Sequence, residues 1–358
     1  MGKSNVLAAL WTLLQRGSPA PAPSDLSFGA SAPIHLSAVL SSGEEVALDV
    51  DDAGSPTAGA PTVPVLLLPA SLRSRTLIAT PTEPPALRLA RSYFGSGEAS
   101  SSAAPAAALV AGLERMCEDR ETGLVLLIEE PELFLRPQAQ RYLYRVLRRF
   151  AENGNQVLYS THEPAFLNVG RLDELALVEH RADSGTVVIQ PEALPADESF
   201  RAISEFDAER SELFLGRAAV LVEGRTEKLA LPFVFRALGY DADREAITIV
   251  DCGGKPNIPL FVRICHAARI PCLAIHDRDA EANRHPSHAE RVLNSQIKEL
   301  AGHTRTVELA PDFEAVAGLR GHRHKPARAF EHFSRLSSER VPAVLSQAVQ
   351  EVVALARG

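Results

Sequence analysis

The chain has 358 residues, of which 46% are hydrophobic and 23% charged, so about two packed domains are expected rather than a disordered protein. Its apolar runs are too short to span a bilayer, which argues against a membrane protein. The formal net charge of −8 argues against a protein that simply coats DNA, although a local basic patch could still contact nucleic acid.

The cysteines also limit the class of protein. Cys117, Cys252, Cys265 and Cys272 show no CxxC spacing, which argues against a zinc site and against a disulfide framework. The N-terminus has no apolar segment followed by a small-residue cleavage site, so export is not expected. These features predict a protein of the reducing cytoplasm.

The first half of the chain alternates helices and strands. An apolar strand over 124–128 precedes an amphipathic helix over 136–150 and a further strand over 156–161, a spacing that predicts a parallel sheet. Upstream, the pattern predicts a helix over 5–15 and a hairpin over 34–50.

The second half contains another strand–helix series. Strands are predicted over 218–222, 246–251 and 272–276, and helices over 228–238 and 258–268. The sequence therefore predicts a second α/β domain.

Acidic residues end the strand at 124–128. Glu129 and Glu130 follow it directly, at the strand end where parallel α/β sheets bind ligands. One carboxylate can hold Mg²⁺ through water while its neighbour orients a hydrolytic water. His162, after the next strand, can contact a γ-phosphate. Each feature alone is weak, because paired glutamates occur by chance and a lone histidine is more often structural.

A second set of acids follows the strands of the second half. Glu223 ends the first strand, Glu227 begins the next helix, and Asp277 and Asp279 end the third strand. Neighbouring ionised carboxylates repel, so such a cluster is costly unless cations occupy it. Oxygen ligands suit Mg²⁺ or Mn²⁺, and two such ions stabilise the attacking and leaving oxygens of a phosphodiester. Any one of these acids alone would pass for an ordinary strand-end residue.

In this order the motifs resemble the OLD (overcoming lysogenization defect) family, which joins an ABC-type ATPase to a C-terminal Toprim (topoisomerase-primase) nuclease. Residues 126–138 and Ser160-Thr161-His162 resemble Walker B, D-loop and H-loop segments. Ser96, Gly97 and Glu98 resemble a degenerate ABC signature. Glu-Gly-x-Thr-Glu at 223–227, Gly-Gly-Lys at 253–255 and Asp-x-Asp at 277–279 resemble the Toprim motifs of the family.

The N-terminus departs from that pattern. Gly2, Lys3 and Ser4, leading into a helix, resemble only the last part of a P-loop, G-x-x-x-x-G-K-S/T. The preceding strand and most of the backbone N–H groups that cradle the phosphates are missing. We therefore expect a chain truncated at its N-terminus, with ATP binding weak or lost.

The resemblance implies further site residues and a domain order. Glu314 matches an additional acidic metal ligand, and Lys325 matches a lysine that stabilises charge at the scissile phosphate. The expected fold is α/β, a parallel-sheet ABC-type ATPase-like domain followed by a Rossmann-like Toprim domain. The predicted divisions are an ATPase-like domain at 1–190, a linker at 191–215, the Toprim domain at 216–312 and a helical segment at 313–358.

The expected function is a metal-dependent DNA endonuclease that uses two Mg²⁺ or Mn²⁺ ions and acts as a homodimer in phage defence or DNA repair. Glu223, Asp277 and Lys325 are the predicted catalytic residues. The main alternative is a non-catalytic DNA-binding or assembly protein derived from an ABC-type ATPase. A topoisomerase would need a nucleophilic tyrosine, and beyond residue 215 only Tyr240 is present. A primase would usually carry a zinc module, which these cysteines cannot form.

Overall fold

The computed structural model describes residues 3–14, 34–39, 45–50, 65–68, 104–133, 135–181, 185–205, 207–279, 287–319 and 325–358. The chain divides into two compact units. Unit 1 comprises Met1–Phe166 and Val178–Val187, and unit 2 comprises Leu167–Leu177 and Val188–Gly358.

The elements of unit 1 follow the predicted alternation of helices and strands. In chain order they are α1 (Lys3–Leu14), β1 (Ile34–Val39), β2 (Glu45–Val50), β3 (Val65–Leu68), α2 (Ala104–Glu118), β4 (Val125–Glu129), α3 (Pro137–Glu152) and β5 (Gln156–Ser160). A two-stranded sheet of β6 (Leu177–Arg181) and β7 (Gly185–Ile189) follows. A short 3₁₀ helix lies at Pro164–Phe166.

A parallel sheet of β3, β4 and β5 forms the centre of unit 1. Strand β4 lies between the other two, with Leu126 opposite Leu66 on one side and Val157 on the other. The helix α3 buries its apolar stripe, including Leu143 and Phe150, against the same core. The predicted parallel sheet is therefore confirmed, and so is the antiparallel hairpin of β1 and β2.

Unit 2 contains a 3₁₀ helix at Val169–Glu174 and helices α4 (Ala196–Glu205) and α5 (Ala208–Ser211), followed by a second strand–helix series. The series comprises β8 (Ala218–Val222), α6 (Arg225–Ala237), β9 (Ile247–Asp251), α7 (Ile258–Ala267), β10 (Cys272–Asp277), α8 (His288–Ala301) and β11 (Thr306–Leu309). Helices α9 (Phe313–Val316), α10 (Lys325–Phe333) and α11 (Ala343–Arg357) complete it. Its 3₁₀ helices are Glu212–Leu215, Lys255–Asn257, His303–Arg305 and Ser338–Arg340.

The sheet of unit 2 is parallel throughout, in the order β11-β10-β8-β9. Strand β8 reads Ala-Ala-Val-Leu-Val and is buried along its whole length, as expected for a strand covered on both faces. Residues of α6 and α11 pack in one apolar cluster, and residues of α7 pack in another. This packing leaves the strand ends as the place where polar side chains collect.

The residues predicted as a linker, 191–215, contain α4 and α5. Ala202, Leu213 and Phe214 are buried in the same apolar cluster as α7. This segment therefore packs into the core of unit 2.

The predicted α/β fold class with parallel sheets is confirmed. Among the described helices, none is long and apolar enough to cross a membrane. Gly2 and the predicted signature residues Ser96, Gly97 and Glu98 lie outside the described residues.

Replacement of Phe261 tests the packing of unit 2. Its side chain in α7 is fully buried, so Phe261→Ala should lower the free energy of unfolding by about 3 to 5 kcal/mol in urea titrations followed by circular dichroism. The control is Phe200→Ala in α4, where 74% of the residue is exposed and a change within about 0.5 kcal/mol is expected. Similar losses for the two variants would contradict the described core.

Candidate functional site

The candidate site lies where the parallel strands of unit 2 end. Val222, the last residue of β8, is opposite Asp251 of β9 and Ile275 of β10. Asp277 of β10 is in turn opposite Leu309 of β11. Because all four strands run in the same direction, the residues that follow them emerge at one edge of the sheet.

Glu223 joins the ends of two of these strands. Its Oε1 accepts a hydrogen bond of 2.7 Å from the backbone N–H of Asp277. Its carbonyl oxygen accepts one of 2.7 Å from the N–H of Gly254, in the turn after β9. Glu223, which directly follows β8, is therefore bonded to the ends of β9 and β10.

Asp277 links β10 to the segment after β11. Its Oδ1 accepts a hydrogen bond of 2.8 Å from the N–H of Phe313, the first residue of α9. Asp312 caps the same helix by accepting from the N–H of Ala315 at 2.7 Å. The structure thus brings Glu314, which follows Phe313 in α9, close to these acids, where its charge acts on both Asp277 and Glu227. We call this part of the sheet edge the acidic edge; its acids are Glu223, Glu227, Asp277, Asp279 and Glu314.

Glu227 lies in the first turn of α6, which begins three residues earlier than predicted. Its Oε2 accepts a hydrogen bond of 3.2 Å from the N–H of Gly224, so the side chain caps its own helix. Only 8% of Glu227 is exposed. This capping contact is the reason that the helix starts at Arg225 rather than at Lys228.

The buried acids raise one another's pKa. The pKa of Glu223 rises to about 7, mainly by burial and further by the charges of Asp279 and Glu227. The pKa of Glu227 rises to about 7 through burial and the charges of Asp277 and Glu314. The pKa of Asp277 also rises to about 7, through burial and the charge of Glu223. A nearby cation would relieve all three carboxylates together.

One cation of the chain already lies at this edge. Lys255 is only 7% exposed, and its Nζ donates to the carbonyl oxygen of Asp277 and to Oδ2 of Asp279, the latter at 2.6 Å. The backbone reaches this position through Gly253 and Gly254, whose φ angles of 73° and 128° disfavour other residues. The sequence interpretation of Lys255, in the Gly-Gly turn, was a positional role, and its contacts with Asp277 and Asp279 were not predicted.

The donor chemistry of the edge fits a divalent cation, but its side chains are not arranged as a ligand set. Carboxylate oxygens are the ligands that Mg²⁺ and Mn²⁺ prefer. Within the described ranges, however, no three His, Cys, Asp or Glu side chains are placed to hold one ion. Contacts with backbone N–H groups and Lys255 engage Glu223, Asp277 and Asp279. Ion binding would require some of these side chains to move.

Lys325 is the first residue of α10, and its side chain lies outside the described residues. Further along this helix, Ala329 and Phe333 are buried, and the Phe333 ring stacks on Phe313 with centroids 5.8 Å apart. Helix α10 is therefore anchored to the residue whose N–H binds Asp277.

In unit 1, several predicted nucleotide-site residues also come together. Lys3 Nζ donates to the carbonyl oxygen of Thr161 at 2.6 Å and lies 3.3 Å from Nδ1 of His162. Burial lowers the pKa of Lys3, opposed by the charges of Glu132 and Glu130. Glu132 also accepts from the N–H of His162 at 2.9 Å, a contact that sequence reasoning missed.

Glu129, the last residue of β4, is half-buried. The side chain of Ser4 is outside the described residues. Of the predicted nucleotide-site residues, the structure therefore brings Lys3, Glu130 and His162 to one place at the ends of β4 and β5.

Neutralising one acid should stabilise the protein when chelator removes divalent ions. Glu227→Gln keeps the acceptor for Gly224 but removes a buried charge. At pH 8, where the wild-type carboxyl is ionised, it should raise the free energy of unfolding by about 1 to 3 kcal/mol.

The gain should shrink toward zero at pH 5, because a carboxyl with a folded-state pKa of about 7 is then already protonated in the wild type. Urea titrations in EDTA at both pH values measure it. Glu299→Gln, an exposed acid of α8, is the control and should change little. Destabilisation by Glu227→Gln at pH 8 would contradict the expected cost of burying this charge beside Asp277 and Glu314.

Two family models match the chain. The model described as "Overcoming lysogenization defect protein-like, TOPRIM domain" matches residues 214–279, and that described as "AAA domain, putative AbiEii toxin, Type IV TA system" matches residues 106–168. The first range contains Glu223, Glu227, Asp277 and Asp279. The second contains Glu129, Glu130 and His162. Glu314, Lys325 and Lys3 lie outside both ranges.

Relatives with known names agree with these models. The OLD nuclease of Thermus scotoductus is 35% identical over 247 residues, 63% of this chain and 47% of that protein. The Old nuclease of Escherichia phage P2 is 26% identical over 173 residues, 46% of this chain and 29% of that protein. The chain therefore spans less than half the length of either relative.

Among solved structures, the C-terminal region of the Burkholderia pseudomallei OLD protein aligns with 39% of this chain and 98% of that chain. Its identity is 16% and its TM-score is 0.34, which is too low to support an argument. The family models and the two relatives carry the conclusion. The chain is therefore similar to OLD nucleases, with residues 106–168 matching an AAA domain model and residues 214–279 matching an OLD-like Toprim domain model.

Proposed function

We propose that the chain is a metal-dependent DNA endonuclease that hydrolyses phosphodiester bonds at the acidic edge of unit 2. The observation that carries this proposal is the burial of Glu223, Glu227 and Asp277 close enough to raise one another's pKa. Such an arrangement costs free energy in the absence of cations. Glu223, Glu227 and Asp277 lie within the region matched by the Toprim model, whereas Glu314 lies outside it.

Each acidic side chain has a defined part in the proposed site. Glu223, Glu227, Asp277, Asp279 and Glu314 would hold two ions, Mg²⁺ or Mn²⁺. When bound, such ions supply charge stabilisation to the attacking and leaving oxygens of a phosphodiester. The hydrogen bonds of Asp277 to Glu223 and Phe313 fix the positions of the Glu223 and Asp277 carboxylates relative to each other.

Lys325 is proposed to stabilise negative charge at the scissile phosphate. Two features support this role. Lys325 begins α10, and α10 is anchored through Phe333 to Phe313, which binds Asp277. A lysine at this helix start is thereby attached to the acidic edge through the packed core.

We further propose DNA as the substrate, a homodimer as the working form, and a role in phage defence or DNA repair. The relationship to proteins named OLD nuclease supports the substrate class. The free cysteines among the described residues are compatible with a reducing cytoplasm as the location. The proposed domain order is an ATPase-like domain at 1–190, a linker at 191–215, a Toprim nuclease domain at 216–312 and a helical segment at 313–358 that completes the nuclease site.

Removal of Asp277 tests the proposed chemistry. Asp277→Ala should reduce nicking of supercoiled plasmid in Mn²⁺ or Mg²⁺ to the level seen with EDTA, because it deletes a central carboxylate. Glu299→Ala, which changes an exposed acid in α8, should cut like the wild type. The assay follows nicked and linear products on agarose gels.

Equal cutting by the wild type and Asp277→Ala would remove the proposed site. Absence of cutting by the wild type under all metal conditions would favour the alternative function, a non-catalytic DNA-binding or assembly protein derived from an ABC-type ATPase.

The site in unit 1 is proposed to bind ATP weakly, and the acids at the end of β4 are proposed to act in ATP hydrolysis. Lys3, the lysine that would contact phosphate, is half-buried and engaged with Thr161 and His162. Phosphate must therefore compete with these internal contacts.

We expect a fluorescent ATP analogue to bind the chain with a Kd of about 1 mM or weaker in anisotropy titrations with Mg²⁺. Lys3→Ala should abolish the residual binding, whereas Lys298→Ala, a lysine of α8, should not. Micromolar binding to the wild type that is lost in Lys3→Ala would contradict weak binding and show a competent nucleotide site.

A further inference from the structure

The Lys255 side chain occupies the acidic edge of unit 2 in the manner of a bound cation. Its Nζ contacts the Asp277 carbonyl oxygen and lies 2.6 Å from Oδ2 of Asp279. It is 7% exposed, whereas its partner Asp279 is about one-third exposed. The ammonium group thus lies on the inner side of the carboxylate that belongs to the Asp-x-Asp motif.

The local backbone is shaped to place both partners of this ion pair. Gly253 and Gly254 have positive φ angles, and the Gly254 N–H donates to the carbonyl oxygen of Glu223. Asp279 itself has a φ of 57°, an uncommon conformation for a residue other than glycine. Its N–H donates to the carbonyl oxygen of Pro311 at 3.1 Å. The local backbone conformation therefore fixes the positions of both Lys255 and Asp279.

An ordinary buried ion pair would explain these contacts if Asp279 had no other proposed role. Asp279, however, is one of the acids proposed to hold metal, and Lys255 also acts electrostatically on Glu223, another of them. A divalent ion and the ammonium group would compete for the same oxygen and repel each other at this distance.

We propose that Lys255 is an internal counter-ion that holds Asp279 away from the metal site and that a divalent ion must displace it, so that Lys255 sets the metal affinity of the nuclease. This inference rests on the proposed function, because it assumes that the acidic edge binds metal. Lys255 is thereby a positioning residue that acts through Asp279 rather than on the substrate. A lysine with a purely structural role would weaken metal binding when removed, whereas a competing counter-ion would strengthen it.

Metal affinity, rather than activity, is the measurement that separates these roles. Mn²⁺ binding to the full chain is followed by electron paramagnetic resonance of the free ion and by calorimetry, after chelator treatment. Lys255→Met should bind Mn²⁺ about tenfold more tightly than the wild type, because a competing charge is lost. Lys255→Arg, which keeps the charge, should not bind more tightly.

A matched control separates a local effect from the loss of one positive charge on the protein. Lys298→Met removes a lysine from an ion pair of the same length, 2.6 Å to Glu308, which contains no proposed ligand. Its Mn²⁺ affinity should stay within about twofold of the wild type. Thermal unfolding with chelator checks that each variant is folded, and Lys255→Gln replaces Lys255→Met if the latter does not fold.

A double-mutant cycle assigns the effect to the pair itself. In the background of Asp279→Asn, loss of Lys255 should change Mn²⁺ affinity by about twofold or less, since the contested carboxylate is gone. Equal tightening in both backgrounds would overturn the role of Asp279.

The remaining outcomes also decide between the two proposals. Unchanged or weaker Mn²⁺ binding by folded Lys255→Met, with binding by the wild type, would overturn the counter-ion role and leave the metal site standing. Absence of Mn²⁺ binding by both proteins would overturn the metal site together with this inference.

Discussion

The parallel alignment of β8, β9, β10 and β11 forces the residues that follow these strands to share one edge of the sheet. In this chain several of those residues are acids, and they lie above two large apolar clusters. Burial and like charge together raise the pKa of Glu223, Glu227 and Asp277 to about 7. Keeping these buried carboxylates ionised therefore costs free energy, which a bound cation would reduce. The proposed chemistry depends on this effect.

Asp277 is the residue through which the parts of this edge are connected. Its N–H binds Glu223, its Oδ1 binds the N–H of Phe313, and its carbonyl oxygen binds Lys255. Segments far apart in sequence are thus tied to one position at the end of β10. Unit 1 shows a related arrangement, in which half-buried Lys3 lies near the charges of Glu130 and Glu132 at strand ends. In each unit a lysine of the chain compensates strand-end acids.

Much of the fold could be predicted from the sequence because parallel strands buried on both faces are short, continuous apolar runs. Strand β8 was predicted at its observed bounds, and β9 and β10 within one residue. The start of α6 was predicted three residues late, since the pattern of apolar residues does not register a cap made by Glu227 on Gly224. The burial of residues within 191–215 was not predicted, because that segment is polar on average, although Ala202, Leu213 and Phe214 among its described residues enter the core.

The sequence by itself determined the class of each domain and the acids that belong together, since motif order and strand-end position are properties of the chain alone. Tertiary structure decided how those acids are held. The hydrogen bond from the Asp277 N–H to Glu223 joins residues 54 positions apart. The ion pair of Lys255 with Asp279 joins residues 24 positions apart. Local periodicity carries no information about such contacts, because they arise only when the strands pair and the turns take their final conformations. The physical reason is the same for the raised pKa values, which come from burial and proximity that exist only in the folded chain.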